Sequence, residues 1–97
     1  MAKKAIWVML KAKAGKEPEV EAFLKQGATM SRDEPGTVTW YGVKIAPGIY
    51  GVFDTFNDDA GRDAHLNGEI AKALMSKAPE LFSNELQIEK MDILADK

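Results

Sequence analysis

One order of segments constrains this chain more than any other feature. Residues 5–13 read as a strand, with Ile6, Val8, Leu10 and Ala12 alternating along one face. Residues 17–31 read as a helix. Residues 38–45 and 49–56 read as two strands joined by Ala46-Pro47-Gly48. Residues 58–78 read as a second helical stretch, which carries the only histidine, His65. Residues 86–94 read as a last strand.

In sequence that is β-α-β-β-α-β, the split β-α-β pattern of ferredoxin-like folds. The expected class is α+β, with a four-stranded antiparallel sheet and both helices on one face. The chain has 97 residues, which fits a single domain, 1–97. A chain of this size buries only about 60–65% of its unfolded surface, so a lone subunit would be marginal.

The first strand predicts a partner. Its odd positions include Trp7 and Met9, so both of its faces are apolar at the centre. One face can meet the helices. The other has no remaining segment to cover it, and monomers rarely expose large apolar patches. The expectation is a homodimer packed sheet against sheet through Trp7 and Met9.

Pro18 with Glu17 and Glu19 suits the first turn of the first helix, where a missing N–H is tolerated and acids meet the positive helix end. Val20, Leu24, Gly27, Ala28 and Ser31 form its inward stripe, with Phe23 beside it. Asp33-Glu34-Pro35-Gly36 ends that segment. In the second helical stretch Asn57 suits the N-cap, and Gly68 bends or interrupts the helix. Gly61, Ala64, His65 and Gly68 lie close together on the helical wheel, and such small residues predict space beneath it. Pro79 is expected to end the stretch, with Leu81-Phe82 below the core.

Pro47-Gly48 fits the centre of a tight turn. Pairing Ala46 with Ile49 would then set Val43 opposite Val52, Tyr41 opposite Asp54 and Thr39 opposite Phe56. That register puts Tyr41 and Asp54 on one face and Trp40 on the other, and a one-residue slip would exchange them. Asp54 is a carboxylate in an otherwise apolar strand. Burial without a partner would be costly, so a partner such as the Tyr41 hydroxyl, or a polar cavity, is expected.

Composition narrows the function classes. Net charge is −2 and the pI is near 5.4, and the lysines are scattered. This argues against nucleic acid, which needs a basic patch. There is no cysteine, so thiolate chemistry and disulfides are excluded. One histidine makes a poor zinc site, and no metal is expected. No apolar run approaches the ~20 residues of a membrane span. Met1-Ala2-Lys3-Lys4 is not followed by a signal-peptide core, so no membrane partner and a cytoplasmic location are expected. No phosphate-binding glycine loop is present, and no cofactor is expected.

The remaining chemistry converges on His65. Asp54 lies on the strand just before its helix. Trp40, Tyr41 and Tyr50 crowd the adjoining hairpin and could sandwich a flat ring.

These residues also carry a family resemblance. Glu34-Pro35-Gly36-Thr37, Trp40-Tyr41, Val52-Phe53-Asp54-Thr55-Phe56 and Ala64-His65-Leu66 together resemble the antibiotic biosynthesis monooxygenase family. In its pattern a tyrosine follows the "EPGT" turn, an acid precedes an aromatic residue by two, and a histidine follows nine residues later. Tyr41, Asp54, Phe56 and His65 stand at those positions. The resemblance covers nearly the whole chain. It implies homodimers of ferredoxin-like subunits whose sheets form a dimeric α+β barrel. It also implies oxidation of quinol or anthrone-type aromatics by O₂ without metal or flavin. Asp54 and Phe56 replace the commoner glutamate and tryptophan, and the loop between the middle strands is short. No second histidine follows His65, and Val8 falls near the asparagine of the heme-degrading branch, which sets heme degradation aside.

The resulting expectation is a cofactor-independent monooxygenase of a small electron-rich aromatic. His65, with an ordinary pKa near ~6.5, would be its base. Asp54 would orient it, Asn67 would bond a substrate oxygen, and Trp40, Tyr41, Tyr50 and Phe56 would hold the ring. Two alternatives share the cavity: a non-catalytic dimeric module that binds a small apolar ligand, and an isomerase or decarboxylase using His65 as acid and base.

Overall fold

A computed structural model describes residues 2–97. The elements run β1 (Lys4–Lys11), α1 (Glu17–Ser31), β2 (Thr37–Ala46), β3 (Ile49–Phe56), α2 (Asp59–Leu66), α3 (Glu69–Leu81) and β4 (Glu89–Asp92). The strands form one antiparallel sheet in the order β2-β3-β1-β4. The expected ferredoxin-like α+β fold is present. Among the described residues no helix is long and apolar enough to cross a membrane.

The core lies between the sheet and its helices. Val8, Leu10, Tyr50 and Val52 from β1 and β3 meet Val20 and Leu24 of α1, with Leu81 and Phe82 closing one end. Buried Val20, Phe23, Leu24 and Gly27 form the inward stripe of α1, the 3.6-residue pattern of an amphipathic helix. Gly27 allows close approach, since a Cβ there would lie 2.9 Å from the Trp40 ring.

The β2–β3 turn forms as the sequence implies. Gly48 has φ +75°, the left-handed conformation that the third residue of a Pro-Gly turn requires, and Ala46 pairs with Ile49. The register beyond the turn is a correction. The ladder shifts between Lys44 and Ala46, leaving Ile45 unmatched. Beyond that bulge Lys44 pairs with Tyr50, Tyr41 with Phe53, and Trp40 with Asp54. Because side chains alternate in a strand, the extra residue exchanges the two faces of β2. Trp40 therefore shares the helix-covered face with Asp54, and Tyr41 turns to the opposite one.

That opposite face carries Trp7 and Met9 from β1, Phe53 from β3, and Tyr41 and Val43 from β2. Met9, Tyr41 and Val43 are exposed. The Trp7 ring lies over Gly51, where a Cβ would come within 2.2 Å of it. The bulge thus adds two β2 side chains to the apolar strip that β1 alone suggested.

The second helical stretch is broken, as Gly68 suggested, but its ends differ from expectation. Asp58, not Asn57, caps α2, accepting a bond from the Gly61 N–H at 2.8 Å. Gly68 stands between the helices in extended conformation and is the N-cap of α3. Pro79 does not end α3. The helix continues to Leu81, and the Lys13 ammonium donates to the Pro79 carbonyl. Continuation costs one backbone bond, while the Phe82 N–H still reaches the Ala78 carbonyl at 2.9 Å. The Arg62 guanidinium holds α2 to the sheet by donating to the Met91 carbonyl at 3.2 Å and the Ala5 carbonyl at 3.4 Å.

Candidate functional site

Three elements bring three distant residues together. β3 carries Asp54 inward, two residues before the strand ends at Phe56. The short helix α2 presents His65 in its last turn. The turn between α1 and β2 supplies Glu34, whose carboxylate also accepts from the Thr37 hydroxyl at 2.8 Å. That bond, with the Thr37 N–H donating to the Glu34 carbonyl at 3.1 Å, fixes the turn.

His65 is buried between the two carboxylates. Its Nδ1 lies 2.6 Å from Glu34 Oε1 and its Nε2 lies 2.8 Å from Asp54 Oδ2. The buried Phe56 ring packs beside the imidazole, with centroids 5.3 Å apart. Burial alone would pull the histidine pKa down. Contact with Asp54 and then Glu34 outweighs it, so the pKa is raised above its ordinary 6.5. Two negative neighbours favour the imidazolium over the neutral ring. A free base at neutral pH, the sequence expectation, is thus shifted to a more strongly proton-binding one.

Asp54 is 0% exposed. Its Oδ2 lies 2.8 Å from Nε2 of His65, while its Oδ1 has no hydrogen-bond partner among the described residues. The indole Nε1 of its strand partner Trp40 is also buried and has no acceptor among the described residues. The Tyr41 hydroxyl is not the partner of Asp54, because the register places Tyr41 on the far face, 55% exposed.

His65 stands in the wall between two spaces. On the Glu34 side, the 33–37 turn and helices α2 and α3 enclose a cleft of about 420 Å³, lined by Met30, Pro35, Gly36, Ala64 and Ile70 among others. That volume falls in the range of small-molecule sites. On the Asp54 side is an apolar pocket of about 40 Å³, bounded by Val8, Phe23, Trp40, Val52 and Leu74. The small residues around His65 do not all leave space. Gly36 and Gly61 let two backbones touch, since a Cβ on Gly36 would lie 2.8 Å from the Gly61 Cα. A Cβ on Gly68 would lie 3.0 Å from Glu34 Oε2.

The structure gathers His65, Asp54, Trp40 and Phe56 and separates the other three expected residues from them. Tyr50 is buried among core side chains toward the opposite end of β3, and its hydroxyl donates to Glu21 at 2.6 Å. Donation to that carboxylate, with burial, raises the Tyr50 pKa to about 12. Asn67 turns outward at the end of α2 and donates to the Asp63 carbonyl at 2.9 Å. Tyr41 faces away. The expected ring of aromatics around a substrate does not assemble.

Glu34 is the residue that sequence reasoning missed as a site member. The signal was available in Glu34-Pro35-Gly36-Thr37, which read as a chain reversal and a family motif. A carboxylate in a tight turn beside a buried histidine's helix is also a candidate partner.

No family model and no curated protein matches this sequence. Among solved structures, the chain is similar to NE2512, a protein of unknown function from Nitrosomonas europaea, with 46% identity and a TM-score of 0.95. That alignment covers 100% of this chain and 94% of the other. A candidate antibiotic biosynthesis monooxygenase from Caulobacter crescentus aligns with a TM-score of 0.83 and 18% identity, covering 97% and 92% of the two chains. Another candidate of that name from Nitrosomonas europaea aligns at 0.84 and 12% identity, covering 95% and 99%. At these last identities the likeness is one of fold.

Proposed function

The chain belongs to the same family as NE2512 of Nitrosomonas europaea and has the antibiotic biosynthesis monooxygenase-like fold, and from that premise we propose that it is a cofactor-independent monooxygenase of a small electron-rich hydroxy-aromatic. The observation that carries this reading is a buried histidine held between two carboxylates, at the wall between a cleft and an apolar pocket.

The chemistry follows from that arrangement. In its neutral form His65 donates Nδ1–H to Glu34 and carries its free lone pair on Nε2, beside Asp54 Oδ2 in the pocket wall. Nε2 then accepts the proton of a phenolic or enolic hydroxyl. Asp54 and Glu34 stabilise the imidazolium that results, as a carboxylate does in a nucleophile triad. The electron-rich anion so formed can give an electron to O₂, and recombination forms a carbon–oxygen bond. For an anthrone-type carbon the sum is CH₂ plus O₂ giving C=O plus H₂O. One oxygen atom enters the product and the other leaves as water, so the electrons balance between substrate and O₂. Glu34, on the cleft side, is the route by which the proton returns to water.

The working form in this reading is a homodimer through the sheet face of Trp7 and Met9. The apolar strip extended by Tyr41, Val43 and Phe53 supports it.

The test is oxygen consumption and quinone formation with a panel of anthrones and dihydroxy-aromatics. His65→Ala should lower turnover by about 10²–10⁴-fold, the usual contribution of a general base. Equal rates for wild type and variant above the uncatalysed background would remove His65 from the reaction. No turnover of any member would favour the non-catalytic ligand-binding reading.

A further inference from the structure

Two buried polar atoms face the small pocket without partners, and the proposed reaction does not by itself account for both. Trp40 and Asp54 are direct partners across β2 and β3, so their side chains stand next to each other on the covered face. Among the described residues the indole Nε1 lacks an acceptor, and Oδ1 of the fully buried Asp54, whose Oδ2 meets His65, lacks a donor. Orphaned groups of this kind are rare in folded proteins and ask for an explanation. The walls around them are hydrocarbon, from Ile6, Val8, Phe23 and Leu74.

What would satisfy both atoms is a group that accepts from an N–H and donates to a carboxylate. A hydroxyl does both. A carbonyl or an ether oxygen can only accept, and an ammonium can only donate. The pocket volume of about 40 Å³ admits a group of hydroxyl size and not a whole ring. The ring must therefore lie outside it, on the side of Ile88, the lining residue that is exposed to solvent at 41%.

We infer that the pocket between Trp40 and Asp54 is a subsite for the hydroxyl of a phenolic ligand, with Trp40 Nε1–H donating to its oxygen and Asp54 Oδ1 accepting a hydrogen bond from its O–H. This deepens the proposed function, resting on that reading for the later steps but not for binding. Nε2 of His65, 2.8 Å from Asp54 Oδ2, is then adjacent to the bound O–H. When the proton moves to Nε2, the indole N–H still points at the oxygen and stabilises the phenolate. Trp40 is in this account a hydrogen-bond donor and not a stacking surface.

The experiment compares 2-naphthol with its methyl ether, 2-methoxynaphthalene, on the ¹⁵N-labelled protein. Two indole N–H signals are expected, from Trp7 and Trp40, and Trp40→Phe assigns them. Naphthol should shift the Trp40 indole signal and bind at least about tenfold more tightly than the ether, the discrimination of one well-formed buried hydrogen bond. In Trp40→Phe the preference should fall toward one. The wild-type comparison stands even if that variant folds poorly. Equal binding of the two ligands, or an unmoved Trp40 signal on saturation with naphthol, overturns the subsite. So does absence of naphthol binding at millimolar concentration. Naphthol binding as described, with no oxygen consumption on any anthrone or dihydroxy-aromatic of the panel, would keep the subsite and remove the monooxygenase. Turnover with no preference for the hydroxyl and no effect of Trp40→Phe would do the reverse.

Discussion

Glu34 and His65 lie 31 positions apart in the chain, yet Nδ1 of the histidine meets the glutamate carboxylate at 2.6 Å. The contact ties the α1–β2 turn to α2. With Asp54 on the other ring nitrogen, it leaves the only histidine of the chain gripped from both sides.

A single histidine makes the electrostatic consequence directly measurable. The imidazole proton signals followed by NMR should titrate above 6.5, because the two carboxylates outweigh burial. Asp33 and Glu69, which line the same cleft, add charge of the same sign. Asp54→Asn and Glu34→Gln should each lower that midpoint. A wild-type midpoint at or below 6.5 would contradict the geometry. Turnover, where it depends on neutral His65, should rise with pH through the same raised midpoint.

Stability should follow the linkage of that proton. The folded-state pKa of His65 is raised above its unfolded value, so folding binds the proton more tightly. The contribution is fully present below about pH 6.5 and is lost as pH rises through the folded value. Urea midpoints of wild type should therefore fall across that window, more steeply than those of His65→Gln. Asp54→Asn should lower stability by about 3–5 kcal/mol at pH 6, as expected for removing one partner of a buried pair. A flat wild-type profile would show that the pair does not form.

The contact of Gly36 with Gly61 predicts a sensitive position outside the charged set. Gly36→Ala places a Cβ 2.8 Å from backbone, which cannot move as a flexible side chain could. The expected loss is about 1–3 kcal/mol, the usual range for overpacking. The turn that carries Glu34 should shift with it, so the histidine midpoint should fall as well. A variant of unchanged stability and unchanged midpoint would show that the turn has slack.

The uncovered sheet face predicts association. Sedimentation at micromolar concentration should give about twice the monomer mass of 10.7 kDa. Tyr41→Glu is the more informative variant, because Tyr41 is exposed and packs little within the subunit. It should weaken association while leaving the histidine midpoint in place. Trp7→Glu should reduce association and stability together, since Trp7 also covers Gly51. A clean monomer for wild type would remove the dimer.

Much of this protein was legible in its residues. Alternation in β1, the 3.6-residue stripe of α1, the Pro47-Gly48 turn and the break at Gly68 are local preferences, and each acts over a few bonds. Their order alone led to the ferredoxin-like sheet and to the second apolar face at Trp7 and Met9. Three features depended on tertiary structure. The bulge at Ile45 moved Trp40 to the side of Asp54 and Tyr41 away from it, because an extra residue exchanges faces whatever the hydrophobic pattern suggests. Tyr50 found Glu21 on a packed helix and became structural. Glu34 reached His65 because Gly36 and Gly61 allow two backbones to touch, and that approach brings together charges far apart in the chain. Local sequence specifies what a segment prefers to be; the partner of a buried charge is set by which segments fold against one another.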